Sequence, residues 1–558
     1  MRLEDFISAE SLIDENANYE KDIGNISRQL LAWAEREFNL ALIREHFDEA
    51  DTLLSEHGRA IYIHDLSKNI LKNYCYAFSL LPLAEQGIQY YDHFKSRPAK
   101  RLSSFISHVI EFSSYAANRT RGAIAFPDLL AVLYAYYIKD NPPNSQLRQE
   151  LQRAFYTFNQ SLRAGAESLF INVSFFDRYF AEALFSNYPL FNLDGFMEFQ
   201  RFVMEWHMKE VTTRQMLRFP VITAACVKDE DGHIRDREFL ELACRMNMKH
   251  TMYNFLVLEE PTAIASCCRL LNDKASFFNS YGSGGVQIGS HQVVSINLPH
   301  LWLRYGDDCE DALIEYALLI RHFLDWHRKL LIEHQHLDKL YGLGFKSVNR
   351  MFSTLGIIGV WDFKKLSGWS WEEVRDMLKK MQDAYVKDSR YNIELVPGES
   401  AAIKLYRNDA REFEHPYLKG IHMYSNQVVS PWTEEVPLPR KVKINAMFRD
   451  IFTGGQMMFV NIPSAFQTWE QMARIVEGIG SVGVPYFCFD TTLTQCAQNH
   501  ITLGEKERCP ICNEVIKERF RRIVGYFVAL DNAGERQHLD FPYRAPDRMG
   551  SDPSKFSL

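Results

Sequence analysis

The stretch Cys496-Ala-Gln-Asn-His500-Ile-Thr-Leu-Gly-Glu-Lys-Glu-Arg-Cys509-Pro-Ile-Cys512, with Arg521-Arg-Ile-Val-Gly525-Tyr-Phe527 a few residues beyond it, decides how this chain is read. Cys509-Pro-Ile-Cys512 is a tight knuckle whose two thiolates can face one metal ion, and zinc takes four nitrogen or sulfur ligands in a tetrahedron. Cys496 supplies a third sulfur. The fourth ligand is read as His500, because Asn499, which stands where a simple knuckle would place its second ligand, is a poor zinc ligand. The metal is expected to be structural rather than catalytic, stabilising a local fold directly. Shortly beyond it stands Gly525, a lone glycine in an apolar run. Such a glycine marks a bend, a bulge or a close backbone approach, or is itself the reactive residue.

Composition narrows the classes. The chain has 558 residues, 46% hydrophobic and 13% aromatic, with a formal net charge of −8. It is globular and larger than one ordinary domain, a size that one decorated α/β barrel absorbs. The acidic balance excludes a duplex nucleic-acid partner. The acidic start, Met1-Arg-Leu-Glu-Asp-Phe, is not a signal peptide, and no apolar run is long enough to span a membrane, so a cytoplasmic protein is expected. Ten cysteines are too few for a secreted disulfide scaffold. Cys226, Cys244, Cys309 and Cys488 are read as core.

Residues 1–60 read as a helical N-terminal segment. Ile61-Tyr-Ile-His-Asp-Leu66 has the look of a short strand or its end. Residues 100–215 read as mostly helical. From Phe219-Pro-Val-Ile-Thr-Ala-Ala-Cys-Val227 onward, β-rich runs alternate with helices, as in Val293–Pro299, Asn392–Ser400 and Met457–Pro463. That alternation predicts an α/β fold with parallel pairing. The domain plan is a catalytic α/β unit over 61–490, a zinc-binding knot over 491–515, and a loop and tail over 516–558.

Joined to the Arg521–Phe527 segment and the polar tail, the knuckle resembles the C-terminus of the class III (anaerobic) ribonucleotide reductases, which are glycyl radical enzymes. Further stretches are similar to that family in its own order: Asp14-Glu-Asn-Ala-Asn18, Ile61–Leu66 with Tyr74-Cys-Tyr-Ala-Phe78, Phe219–Ala225, Ala265-Ser-Cys-Cys-Arg-Leu270, Gly289–Pro299, Val396-Pro-Gly-Glu-Ser400 and Phe452-Thr-Gly-Gly-Gln456. The resemblance runs from about residue 10 to 548 and implies a ten-stranded α/β barrel with a finger loop near 262–272 threaded through it. It implies reduction of ribonucleoside triphosphates to deoxyribonucleoside triphosphates.

Removing the ribose 2′-OH begins with taking the 3′-hydrogen, which a thiyl radical can do because S–H and sugar C–H bonds are close in strength. A glycyl radical stores the electron between turnovers, since spin delocalises over the flanking amides and no Cβ obstructs planarity. By resemblance Gly525 is that store, Cys268 the thiyl site with Cys267 as its rival, and Cys75 the second sulfur, on the far face of the substrate, of the members that oxidise formate to CO2. Gly398, Glu399 and Ser400 open a helix whose free N–H groups suit substrate phosphate, although a plain capping turn reads equally well. Asn297 is a ribose contact or a structural strand-end residue, and Thr453-Gly-Gly455 brings backbone close to a ligand. The resemblance also implies a separate S-adenosylmethionine/[4Fe-4S] activase, a homodimer, and regulation by dNTP or ATP effectors.

Three departures from the family stand out. The family's core begins almost at Met1, which implies no ATP-binding regulatory domain ahead of it. Asn499 and the tail Ala533–Arg544 also differ from the pattern. They leave open a glycyl radical enzyme with another substrate, or a non-catalytic zinc-ribbon relative.

Overall fold

The computed structural model describes residues 23–261, 263–265, 271–273, 287–396, 398–433, 435–462, 466–523, 525–530 and 535–547. Ten strands form one continuous path: β1 (Cys75–Ala77), β2 (Ile124–Ala125), β3 (Ile171–Phe176), β4 (Val221–Val227), β5 (Tyr253–Leu258), β6 (Gly289–Asn297), β7 (Met351–Ile358), β8 (Tyr391–Leu395), β9 (Met458–Asn461) and β10 (Tyr486–Asp490). β1 to β5 pair in sequence, all parallel. β6, β7 and β8 pair parallel, as do β9 and β10. These sets meet antiparallel at β1/β6 and at β5/β10. The expectation of parallel pairing therefore holds within each set and fails at the two seams.

The ring closes between β8 and the entry to β9. Gly454 N donates to Ile393 O at 2.8 Å and Leu395 N to Gly455 O at 3.0 Å. A Cβ on Gly454 would stand 2.8 Å from Asn392 Nδ2, so the glycine is required by this close approach. The Thr453-Gly-Gly455 backbone thus packs directly on β8. The result is the expected ten-stranded α/β barrel.

Every residue of β3, β4, β5, β6 and β7 is buried. Strands covered on both faces read as continuous apolar runs. This explains why β2 and β3, set between helices, were hidden in a region that reads as mostly helical. Helices Leu102–Ala117, Leu129–Asp140 and Leu193–Thr213 cover the β1–β5 side, and Cys309–His334 and Trp371–Tyr385 cover the other. Ile61–Ile63 is a short strand added antiparallel to β6, outside the ring. Helices Ile23–His46 and Ala50–Ser55 precede it.

A second, antiparallel sheet comes after the barrel: β11 (Leu493–Cys496), β12 (Ile501–Leu503), β13 (Ile516–Arg522) and β14 (Phe527–Ala529), in the order β12-β11-β13-β14. Cys226, Cys244, Cys309 and Cys488 are all buried, as expected of core residues.

Candidate active site and metal centre

Strand alternation sets which side chains face the barrel interior. Tyr76 and Phe78 point outward: their rings pack together, and Phe78 meets Phe112 of the covering helix. Cys75 therefore faces inward. It packs with Ala123, against Tyr74 and Phe170. The wall behind it is close. A Cβ on Gly122 would stand 2.7 Å from the Cys75 sulfur. Gly122 N donates to Tyr74 O, and Arg163 donates to the Gly122 carbonyl.

Phe170, whose φ is +49°, also touches the C-terminal sheet. Its ring lies edge-on to that of Tyr526, with centroids 5.0 Å apart. Tyr526 comes directly after Gly525 at the tip of the β13–β14 hairpin, where Ile523 N donates to Tyr526 O at 2.9 Å. Gly525 is buried. One aromatic ring thus stands between the Cys75 wall and the Gly525 hairpin.

Arg522, the last residue of β13, fixes that hairpin to the barrel. Its buried guanidinium donates to Asn254 Oδ1 at 2.6 Å, to Gly525 O at 3.1 Å and to the Thr251 carbonyl. Tyr253 packs outward on His250, so Asn254 faces inward by alternation. Asn254 Nδ2 donates in turn to the Tyr486 hydroxyl, which bonds Thr223. A buried polar chain therefore ties β4, β10 and β5 to the Gly525 loop. Arg544 of the tail donates to Arg522 O at 2.8 Å. Burial opposes the charge of Arg544, and Asp540 and Asp490 outweigh that and hold it ionised. Arg544, at the end of the divergent tail, is thus a strap over the hairpin's base.

At the other end of β13 stands the metal centre. Cys496, His500, Cys509 and Cys512 place their ligand atoms within 4.8 Å of one another. His500 Nδ1 lies 3.6 Å from the Cys496 sulfur, 3.4 Å from Cys512 and 3.8 Å from Cys509. Three sulfurs and an imidazole nitrogen converging on one point fit zinc. Asn499 takes the left-handed conformation at φ +63° and turns the chain so that His500 enters the cluster. Burial pushes the Cys509 thiol up, but N–H donors from Cys512 and Ile511 and the adjacent sulfurs outweigh it and bring it down to about 7. At Cys512 an N–H donor from Glu514 lowers the thiol, but burial and the sulfurs of Cys496 and Cys509 outweigh it and raise it, so the cluster favours one thiolate at Cys509. Seven strand residues separate the cluster from the hairpin tip, roughly 20 Å at ~3.3 Å per residue.

Gly398 has φ +71° and caps the helix Glu399–Glu412. Gly398, Glu399 and Ser400 thus stand at a strand-to-helix turn, where the first amides lack intrahelical acceptors. Asn297 is buried and spends both amide hydrogens inside the protein, on Arg59 O and on Asp409 Oδ2. Asp409 also accepts from the Tyr424 hydroxyl and bonds His300 Nδ1. Asn297 therefore ties the end of β6 to the Glu399–Glu412 helix. Cys267 and Cys268 lie outside the described residues; Ala263–Ala265 and Leu271–Asp273, on either side of them, pair antiparallel.

Sequence reasoning did not single out Phe170, Gly122 or Asn254. Arg522 was in the quoted motif without a role, and its place just ahead of Gly525 was the available signal. Phe170 and Gly122 carry no local pattern.

The barrel, the inward cysteine and the buried glycine hairpin define the architecture of an anaerobic ribonucleotide reductase. The family described as anaerobic ribonucleoside-triphosphate reductase matches residues 15–540, and the chain belongs to it. It is an oxidoreductase that reduces ribonucleotides anaerobically, in a family of glycyl radical enzymes. No curated protein matched the sequence. Among solved structures, one described as an anaerobic ribonucleotide reductase aligns at TM-score 0.81 and 27% identity, over 94% of this chain and 89% of its own. The anaerobic ribonucleotide reductase from Thermotoga maritima in complex with dATP and CTP aligns at TM-score 0.81 and 27% identity, over 96% and 94%. The same enzyme with dATP bound in the specificity site gives 0.80 and 26%, over 94% of each chain. Among the described residues no helix is long and apolar enough to cross a membrane.

Proposed function

We propose that this chain is the catalytic subunit of a formate-dependent reductase of ribonucleoside triphosphates, with the radical stored on Gly525, the thiyl on Cys268 and the second sulfur on Cys75. The observation that carries this reading is the packing of the Gly525 hairpin, through Tyr526 and Phe170, onto the wall that holds Cys75. A radical relay needs its store beside the substrate cavity and out of water. A buried hairpin tip, pinned to inward-facing Asn254, supports that role.

In the proposed cycle the Gly525 radical takes a hydrogen atom from the Cys268 thiol, and the thiyl takes the ribose 3′-hydrogen. The 2′-OH takes up a proton and leaves as water. The Cys75 sulfur then takes part in the reducing step, in which formate is oxidised to CO2. The 3′-hydrogen returns from Cys268, and Gly525 recovers its radical. Substrate phosphate sits at the Gly398–Ser400 helix start, held in register by Asn297 and Asp409. The amide hydrogens of Asn297 are engaged, but its buried Oδ1 has no partner among the described residues and is free to accept from a ribose hydroxyl.

A separate S-adenosylmethionine/[4Fe-4S] activase installs the radical. Zinc at Cys496, His500, Cys509 and Cys512 braces one end of β13 and so fixes the other. Regulation by dNTP is supported by the dATP complexes of the Thermotoga maritima enzyme, and regulation by ATP follows from the family resemblance. The protein acts as a cytoplasmic homodimer.

The test is product analysis under strict anaerobiosis, on protein that shows a glycyl signal by electron paramagnetic resonance and is supplied with mixed ribonucleoside triphosphates and formate. Deoxynucleotide formed together with CO2 is expected. Deoxynucleotide formed only with a thiol reductant would remove formate and the Cys75 assignment. Air exposure should cleave the activated chain at Gly525, and an intact mass after exposure would refute the radical's location.

A further inference from the structure

The geometry points to Arg522 as a positioning residue that tunes the radical electronically, through a charged hydrogen bond to the Gly525 carbonyl. The inference rests on the reading of Gly525 as the radical store.

Three observations carry it. Arg522 Nη1 donates to Gly525 O at 3.1 Å. The guanidinium is fully buried, so water does not screen it. Its acceptors among the described residues are all neutral: Asn254 Oδ1, Gly525 O and Thr251 O. A buried cation facing only neutral acceptors exerts more of its field on each of them than one paired with a carboxylate.

A radical centred on a glycine Cα is stabilised from two sides, by the amide nitrogen that donates electron density and the carbonyl that accepts it. A cationic donor on the carbonyl oxygen makes it a better acceptor and draws spin toward oxygen. The Gly525 radical becomes more stable, and its Cα–H bond correspondingly weaker. When a hydrogen atom passes from the Cys268 thiol to Gly525, the S–H bond breaks and the Cα–H bond forms. A more stable glycyl radical makes that transfer less favourable, keeping the electron on Gly525 between turnovers. Arg522 thus sets the balance between a long-lived store and an available thiyl.

The same side chain also holds the hairpin mechanically, so the test separates the two roles. Full-length activated protein carrying 15N-arginine is examined by electron–nuclear double resonance, in H2O and in D2O. The wild type is expected to show a weak 15N coupling and an exchangeable-proton coupling on the glycyl signal. Arg522→Lys should lose the 15N coupling and retain an exchangeable one, whereas Arg522→Met, which removes the cation, should lose both and store a radical that decays about 10-fold faster, the factor a charged hydrogen bond implies. Asn254→Ala removes a pin but leaves the donor on Gly525, and should keep the 15N coupling. A glycyl signal in the wild type without arginine nitrogen coupling overturns the inference alone. The absence of any glycyl signal overturns the Gly525 reading and the inference with it.

Discussion

Phe170 and Tyr526 meet edge-on with ring centroids 5.0 Å apart, and through them the barrel wall bearing Cys75 touches the hairpin bearing Gly525. Phe219 completes the group, 5.4 Å from Phe170 and 5.5 Å from Tyr526. Aromatic pairs of this kind contribute about 0.5–1.5 kcal/mol beyond the area they bury. Phe170→Ala should leave zinc content unchanged and lower turnover by about 10-fold or more, the factor that ~1.4 kcal/mol represents, with the glycyl signal still forming. Turnover equal to wild type would show that the contact does not position the loop.

Gly122 is a tighter constraint. A Cβ there would press against the Cys75 sulfur, 2.7 Å away. Gly122→Ala must displace that sulfur or the strand behind it. Formate-driven product formation should be lost, while the radical signal and metal content persist. A variant with full formate-dependent activity would show that the exact place of Cys75 is unimportant.

The metal centre makes a stoichiometric prediction. Purified protein should hold about one zinc per chain, the number that a single tetrahedral site takes. Cys512→Ser or His500→Ala should lower that content several-fold and destabilise the C-terminal sheet, because metal affinity is folding energy there. Asn499→Gly should keep the metal, since Asn499 supplies a left-handed turn rather than a ligand. Loss of zinc from that variant would reassign the fourth position.

His207 should make the protein acid-sensitive. Burial alone lowers its pKa to about 3, and neither ring nitrogen has a partner among the described residues. In the unfolded chain it binds a proton below about 6.5. Between about pH 6.5 and 3 the unfolded state therefore holds more protons, and stability falls as pH falls through that window. His207→Phe keeps the shape and removes the buried polar ring. It should raise the melting temperature, more at about pH 5, inside that window, than at about pH 8, above it. An equal shift at both values would refute the protonation argument.

The ligand types of the metal centre were legible because their chemistry is local: a knuckle of two cysteines brings its thiolates together within four residues. The glycine hairpin was legible as a motif for the same reason. β4, β6, β8 and β9 could be read from β-rich runs bounded by turn residues. β2 and β3 could not, since a short strand buried on both faces has no polar alternation to distinguish it from a buried helix.

Order along the chain predicted the α/β class, and family resemblance supplied the barrel. Only the folded chain decided the closure at Gly454, the two antiparallel seams, the strap formed by Arg544, and the meeting of Phe170 with Tyr526. Most of these join segments far apart in sequence. Motifs within a few residues carry their geometry with them because the backbone is short and stiff. Contacts across hundreds of residues exist only when the core has assembled, so no local pattern announces them.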